Sequence, residues 1–188
     1  MVEETAEDRV EAEDTVEIYV AAGSNVEPEK YLSRALEALE ASFAPLNVSP
    51  AYRNRAVGFE GADFINLVVG FRSDLPVEVV RNRLQQIEAR CDRPSQAPQW
   101  APRTMDLDIL LYGDLVSDRS GLVLPRPDLL RRNYMLGPLA AIAPDLRHPT
   151  AHRTMRELWE AFDAAGVHAL QEVTIPRCAP RRSPGSGQ

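Results

Sequence analysis

The chain has 188 residues, 44% of them hydrophobic and 26% charged, which is an ordinary globular composition and room for one domain with a sizeable core. Its net charge of -7 sits at one end: residues 1–17 hold eight acids and one arginine, leaving 20 acids against 20 bases in the body. A near-neutral body argues against a generic nucleic-acid or anionic-membrane surface, and no apolar run approaches the roughly 20 residues that span a bilayer.

The acidic start, 1–15, lacks periodicity and is expected to be a disordered tail. "VEIYVAA" (16–22) is a first strand, "GSN" (23–25) a turn, and 28–43 a helix opened by Pro28 with its apolar face on Leu32, Ala35, Leu36, Leu39 and Phe43. "LNVSPAYR" (46–53) predicts a second strand, "NRAVGFEGAD" (54–63) a loop, and "FINLVVGFR" (64–72) a third strand. Asp74 and Pro76 open a second helix running to about Cys91, with Val80, Leu84, Ile87 and Cys91 as its buried stripe. The proline-rich stretch 92–102 predicts a functional loop. "TMDLDILLY" (104–112) is a fourth strand, and "LVLP" (122–125) a short fifth. Short helices follow at 128–135, 137–143 and 154–164, and 177–188 is expected to be a second disordered tail. Two cysteines, Cys91 and Cys178, make neither a disulfide framework nor a metal spacing, so a reducing, cytoplasmic setting is expected; the N-terminus carries no signal-peptide pattern. The order β-α-β-β-α-β suits an α+β, ferredoxin-like sandwich with a C-terminal helical extension, occupying 16–176 as a single domain.

The fourth strand carries Asp106 and Asp108. Residues two apart in a strand share a face, so Met105, Leu107, Ile109 and Leu111 are expected to face the helices and both carboxylates the other side. Paired oxygen ligands suit Mg²⁺, which uses one or two carboxylates and completes its shell with water and phosphates. Two acids on a solvated sheet face, paired with arginines, would read the same way from spacing alone. Arg93 and Arg103 flank the loop that leads into the strand, and a guanidinium forks to phosphate oxygens as readily as to carboxylates.

Beyond spacing, "APRTMDLDILLYG" (101–113) resembles the hallmark segment of the 6-hydroxymethyl-7,8-dihydropterin pyrophosphokinases, W-G-P-R-T-x-D-[LIV]-D. "AAGSNV" (21–26), "AYRNRAVG" (51–58), "DFIN" (63–66), "IEARCDR" (87–93) and "RRNYMLGPLAAIAPDLRHP" (131–149) resemble the family's other motifs in order, so the likeness covers about 17–160. It implies a transferase that moves pyrophosphate from ATP to the hydroxymethyl oxygen of a reduced pterin in folate synthesis, releasing AMP. By matching position, Asp106 and Asp108 would hold two Mg²⁺ ions, and Arg93 and Arg103 would contact the transferred group. Glu88, Trp100, Ile109, Arg126 and Arg132 would bind ATP, although Glu88 alone reads equally as an exposed helix acid. Phe64 and Tyr134 would stack on the pterin, Asn66 would bond its edge, and backbone around Asn54 and Val57 would complete the pocket. The partners implied are these small molecules, with no nucleic acid or membrane, and a monomer is expected.

The chain departs from the family pattern around the phosphates. Ser95 and Gln99 stand where basic residues are usual, Ala101 replaces a glycine, and Arg126 replaces the histidine of P-H-P; Asn54 and Ala56 replace a threonine and a proline. Each lost guanidinium that made a charge-assisted bond would cost roughly 1.5–3 kcal/mol. The alternative is therefore a weakened or altered-substrate paralogue that binds a pterin or nucleotide.

Overall fold

A computed structural model describes residues 15–55, 61–92, 104–163 and 170–176. The elements run β1 (Val16–Ser24), α1 (Pro28–Phe43), β2 (Asn47–Val48), β3 (Ala51–Asn54), β4 (Phe64–Ser73), α2 (Val77–Arg90) and β5 (Asp106–Tyr112). A hairpin β6 (Ser117–Arg119) and β7 (Leu122–Leu124) follows, then a 3-10 turn at Pro127–Leu130, α3 (Asn133–Ile142), α4 (Met155–Asp163) and β8 (Gln171–Val173). Among the described residues these make a mixed α/β fold: four helices and a six-stranded sheet in the order β5-β1-β4-β3-β8, with β2 also on β4. Every pairing in that sheet is antiparallel. No helix among the described residues is long and apolar enough to cross a membrane.

Alternation along the strands divides the apolar residues between two cores. Ile18, Val20, Leu67, Val69, Leu107 and Ile109 pack on one face against Leu32, Ala35 and Leu39 of α1 and Val80, Leu84 and Ile87 of α2. Fully burying each large aliphatic is worth about 1.5–3 kcal/mol. Phe43, at the end of α1, stacks on Phe71 of β4 with ring centroids 4.3 Å apart. The opposite face is covered as well: Tyr19, Ala21, Val68 and Leu110 pack against Leu136 and Leu139 of α3 and Met155 of α4.

Leu111 departs from the expected facing. The register between β1 and β5 shifts between Tyr19 and Val20, so Tyr19 faces Leu111 while Val20 faces Ile109. The extra residue, Leu110, is a bulge that turns Leu111 into the second core beside it. Met105, Leu107 and Ile109 lie in the first core as expected.

The single strand expected at 46–53 is two, β2 and β3, because Pro50 has no N–H to donate. Ser49 fills the break: its N–H donates to Val68 O and its Oγ accepts from Val68 N, both at 2.9 Å. The second helix starts at Val77 with Pro76 as its cap residue, and Asp74 makes no cap bond. The helix expected at 128–135 is the 3-10 turn, and α3 begins two residues after Arg131. α4 begins with a capping box: Thr154 Oγ1 accepts from Glu157 N, and Glu157 Oε2 accepts from Thr154 N. Strands β6 and β8 were not expected; at three residues each, neither is long enough to show periodicity.

The link from α3 to α4 holds the buried His148. Its Nδ1 accepts from Ala151 N at 3.1 Å and lies 3.3 Å from Thr150 N, so the ring is neutral, and burial, helped by His152, lowers its pKa. Its Nε2 is buried with no hydrogen-bond partner among the described residues. The unfolded chain then binds the proton that the folded chain refuses. His148 costs no stability above about pH 7.5, and stability falls as pH drops through the ordinary histidine value near 6.5, by up to about 1.4 kcal/mol per pH unit. Melting temperatures measured from pH 8 to 5 should fall less steeply for His148→Gln than for the parent; parallel curves would remove His148 from the account.

Candidate active site

Asp106 lies opposite Gly23 of β1, and Asp108 opposite Ala21. Both carboxylates therefore leave the sheet on the α3 side, half-buried, as the two-residue spacing requires. Gly23 is in turn opposite Asn66 of β4, and Asn66 opposite Tyr52 of β3. One row across four strands thus carries Asp106, Gly23, Asn66 and Tyr52 on the same face. Asn54 and Phe64 are paired with each other one step along. Asn66 is buried, and its Nδ2 donates to Asn54 Oδ1. A Cβ at Gly23 would collide with Asn66 Oδ1, so glycine is what lets the amide lie across β1 toward the aspartates.

The outer edge of β5 is equally organised. Glu88 of α2 is buried, not exposed, and its Oε1 accepts from Leu107 N at 2.8 Å, between the two aspartates. This satisfies an edge-strand donor and ties α2 to β5 at the site. Beyond it, Arg81 of α2 donates from Nη1 to Gly121 O at 2.7 Å and pins the β6–β7 hairpin. Between α2, β5 and β7 lies a cavity of about 260 Å³, lined among others by Gln85, Glu88, Asp106, Asp108, Ile109 and Arg126.

Arg126 follows β7. Its backbone N–H donates to Leu110 O at 2.9 Å, and its Nη1 reaches Asp108 Oδ1 at 2.9 Å. Its Nε stands 3.6 Å from Asp128 Oδ2. Arg132 is the residue that caps α3, and Tyr134 sits in the first turn with its N–H on Asn133 Oδ1. Burial raises the Tyr134 hydroxyl pKa; the charges of Arg132, Asp128, Arg126 and Asp108 act on it as well, so this ring lies within the electrostatic reach of Asp108.

The structure thus brings together Asp106, Asp108, Glu88, Ile109 and Arg126 around the cavity, and Asn54, Phe64 and Asn66 in the adjoining row. Arg132 and Tyr134 approach from α3. Val57, Arg93, Trp100 and Arg103 lie outside the described residues, as do Ser95, Gln99 and Ala101. Sequence reasoning missed Gln85 and the hairpin wall at Leu122 and Leu124. Gln85 was findable, since it precedes Glu88 by three residues and shares its helix face.

Among the described residues there is no group of three or more His, Cys, Asp or Glu that could hold a metal. A closed all-protein cage is therefore not built from the described residues. Two half-buried carboxylates beside a cavity fit Mg²⁺ instead, with phosphate and water completing the shell.

A sequence profile of the 7,8-dihydro-6-hydroxymethylpterin-pyrophosphokinase (HPPK) family matches residues 19–144. The 2-amino-4-hydroxy-6-hydroxymethyldihydropteridine pyrophosphokinase of Aquifex aeolicus is 32% identical over 142 residues, covering 74% of this chain and 88% of that one. The Pseudomonas aeruginosa protein of the same name is 36% identical over 157 residues, covering 81% of this chain and 96% of its own. The crystal structure of wild-type Plasmodium falciparum HPPK-DHPS shares the fold, with a TM-score of 0.63 at 13% identity; the match covers 80% of this chain but 45% of that longer one. On the matched sequence, which includes β5 and its two aspartates, this chain belongs to the 7,8-dihydro-6-hydroxymethylpterin-pyrophosphokinase family.

Proposed function

We propose that the chain transfers a pyrophosphoryl group from ATP to the 6-hydroxymethyl oxygen of 7,8-dihydropterin, releasing AMP, as a step of folate biosynthesis. The observation that carries this reading is the row Asp106–Gly23–Asn66, which sets a carboxylate pair and a buried amide on one sheet face with only β1 between them. The cavity along β5 would take the nucleotide, with Glu88, Ile109 and Arg126 around it, and Arg132 is assigned to the nucleotide by motif position. Asn66, steered by Gly23 and Asn54, would present donor and acceptor atoms to the pterin edge, and Phe64 and Tyr134 the flat faces. Val57 backbone, Trp100, Arg93 and Arg103 are assigned to pterin, nucleotide and transferred group by motif position.

Asp106 and Asp108 would hold two Mg²⁺ ions; magnesium bound there would neutralise charge on the polyphosphate and ease loss of the hydroxymethyl proton. The pterin oxygen attacks the β-phosphorus in line. A new O–P bond forms as the bond from that phosphorus to the α,β-bridging oxygen breaks, and the bridging oxygen leaves with AMP. The chain's own contribution is placement: the row fixes how far the pterin pocket stands from the carboxylates, and the arginines hold phosphate oxygens.

The strand order β5-β1-β4-β3, with α1 and α2 on one face, supports a ferredoxin-like core extended by α3 and α4, and 16–176 as one functional unit. A monomer is supported by helices over both sheet faces, a hairpin and Glu88 along β5, and an outermost strand, β8, of three residues. Cys91 is a buried free thiol whose pKa burial pushes up to about 11, in keeping with a reducing cytoplasm.

Chromatography of the nucleotide products, with and without hydroxymethyldihydropterin and Mg²⁺, is the direct test. AMP is expected only when both are present. ADP as the product would overturn the reaction type, and binding without any AMP would favour the weakened paralogue.

A further inference from the structure

We propose that Arg126 is a resident counter-ion of Asp108 and must hand that carboxylate over when metal and nucleotide arrive, so that the two bind cooperatively. The inference rests on the reading of Asp106 and Asp108 as the metal-holding pair.

The geometry is specific. Nη1 of Arg126 stands 2.9 Å from Asp108 Oδ1, with the two side chains only 32% and 26% exposed. That is a partly desolvated ion pair in the space beside the carboxylate that a cation would need. The rest of the guanidinium is poorly served: Nε is buried, without a hydrogen-bond partner among the described residues, and 3.6 Å from Asp128 Oδ2. The backbone, by contrast, is fixed, because Arg126 N–H bonds Leu110 O on the same strand that carries Asp108. Only the side chain has to move, and the cavity that Arg126 and both aspartates line gives it somewhere to go.

A permanently charged group cannot be neutralised to make way for a metal; it has to be given another anion. A divalent cation arriving alone must compete with the guanidinium for Asp108 and leaves Arg126 only its longer, 3.6 Å contact with Asp128. A nucleotide arriving with the metal supplies phosphate oxygens to which the guanidinium can fork, so the exchange becomes favourable. By linkage, each ligand then tightens the other by the same factor. A neutral side chain at this position would not impose the competition.

The test uses the full chain and Mn²⁺, titrated by electron paramagnetic resonance, first alone and then with a nonhydrolysable ATP analogue. Arg126→Gln is expected to bind Mn²⁺ alone about tenfold more tightly than the parent, because the competing charge is gone. The gain in Mn²⁺ affinity on adding the analogue should shrink in that variant. Arg126→Lys keeps a cation and should stay close to the parent. Unchanged or weaker Mn²⁺ binding in Arg126→Gln, or lysine behaving like glutamine, overturns the proposal. A second measurement needs no variant: a crystal structure of the parent chain with Mg²⁺ and the analogue should show the guanidinium on a phosphate and off Asp108, and a retained pair overturns the proposal. None of these readouts requires turnover. A failure to form AMP would therefore sink the proposed reaction while leaving the Arg126 exchange to stand or fall on its own.

Discussion

Asp106→Ala is expected to lower the rate of AMP formation by roughly a thousandfold, the equivalent of several kcal/mol of lost charge stabilisation on the polyphosphate. The fold should survive. Asp106 is half-buried at the start of β5, opposite a glycine, and neither core cluster includes it. Removing it also relieves repulsion with Asp108 two residues on, so the melting temperature should hold or rise slightly. Losing Asp108 instead would take away the ion-pair partner of Arg126. Steady-state nucleotide analysis beside a thermal melt checks both halves. A rate within tenfold of the parent, in a folded variant, would mean that this carboxylate does not serve the chemistry.

Gly23→Ala should separate the two substrates. The added Cβ meets the tip of Asn66, a side chain that can swing, and no backbone atom, so the sheet should tolerate it. The amide that swings away is the one proposed to read the pterin edge. Losing one or two of its hydrogen bonds is worth about 1–3 kcal/mol, or a ten- to hundredfold rise in the KM for pterin. The KM for ATP should change little, because the cavity along β5 lies on the far side of the aspartates. A KM for pterin equal to the parent's would dissociate Asn66 from recognition. Asn66→Ala should reproduce the effect without touching β1.

Different parts of the molecule were legible to different degrees. α1, β1, β4 and α2 were readable because each is long enough for its period to repeat: Leu32, Ala35 and Leu39 mark a helix face, and 64–72 carries a continuous apolar run from Leu67 to Phe71. The three-residue strands β6 and β8 were not, since three residues carry no period and their pairing partners are set by the fold around them. The bulge at Leu110 was likewise out of reach, because it is a property of two strands in register and not of either alone. Glu88 shows the same limit from the side of function. As one residue of a helix it could have been a solvated acid; the Leu107 N–H on a neighbouring strand makes it a structural part of the site.

By itself the sequence determined the local facts. Asp106 and Asp108 had to share a face, because strand side chains alternate, and the ordered motifs from 21 to 149 pointed to one family and one chemistry. Only the tertiary structure decided what stands against those carboxylates: Asn66 reached across Gly23, Glu88 bonded between them, and Arg126 held on Asp108. Those partners come from three other segments of the chain, and which charge meets which is settled by strand register and helix docking, long-range packing energies that no local pattern encodes.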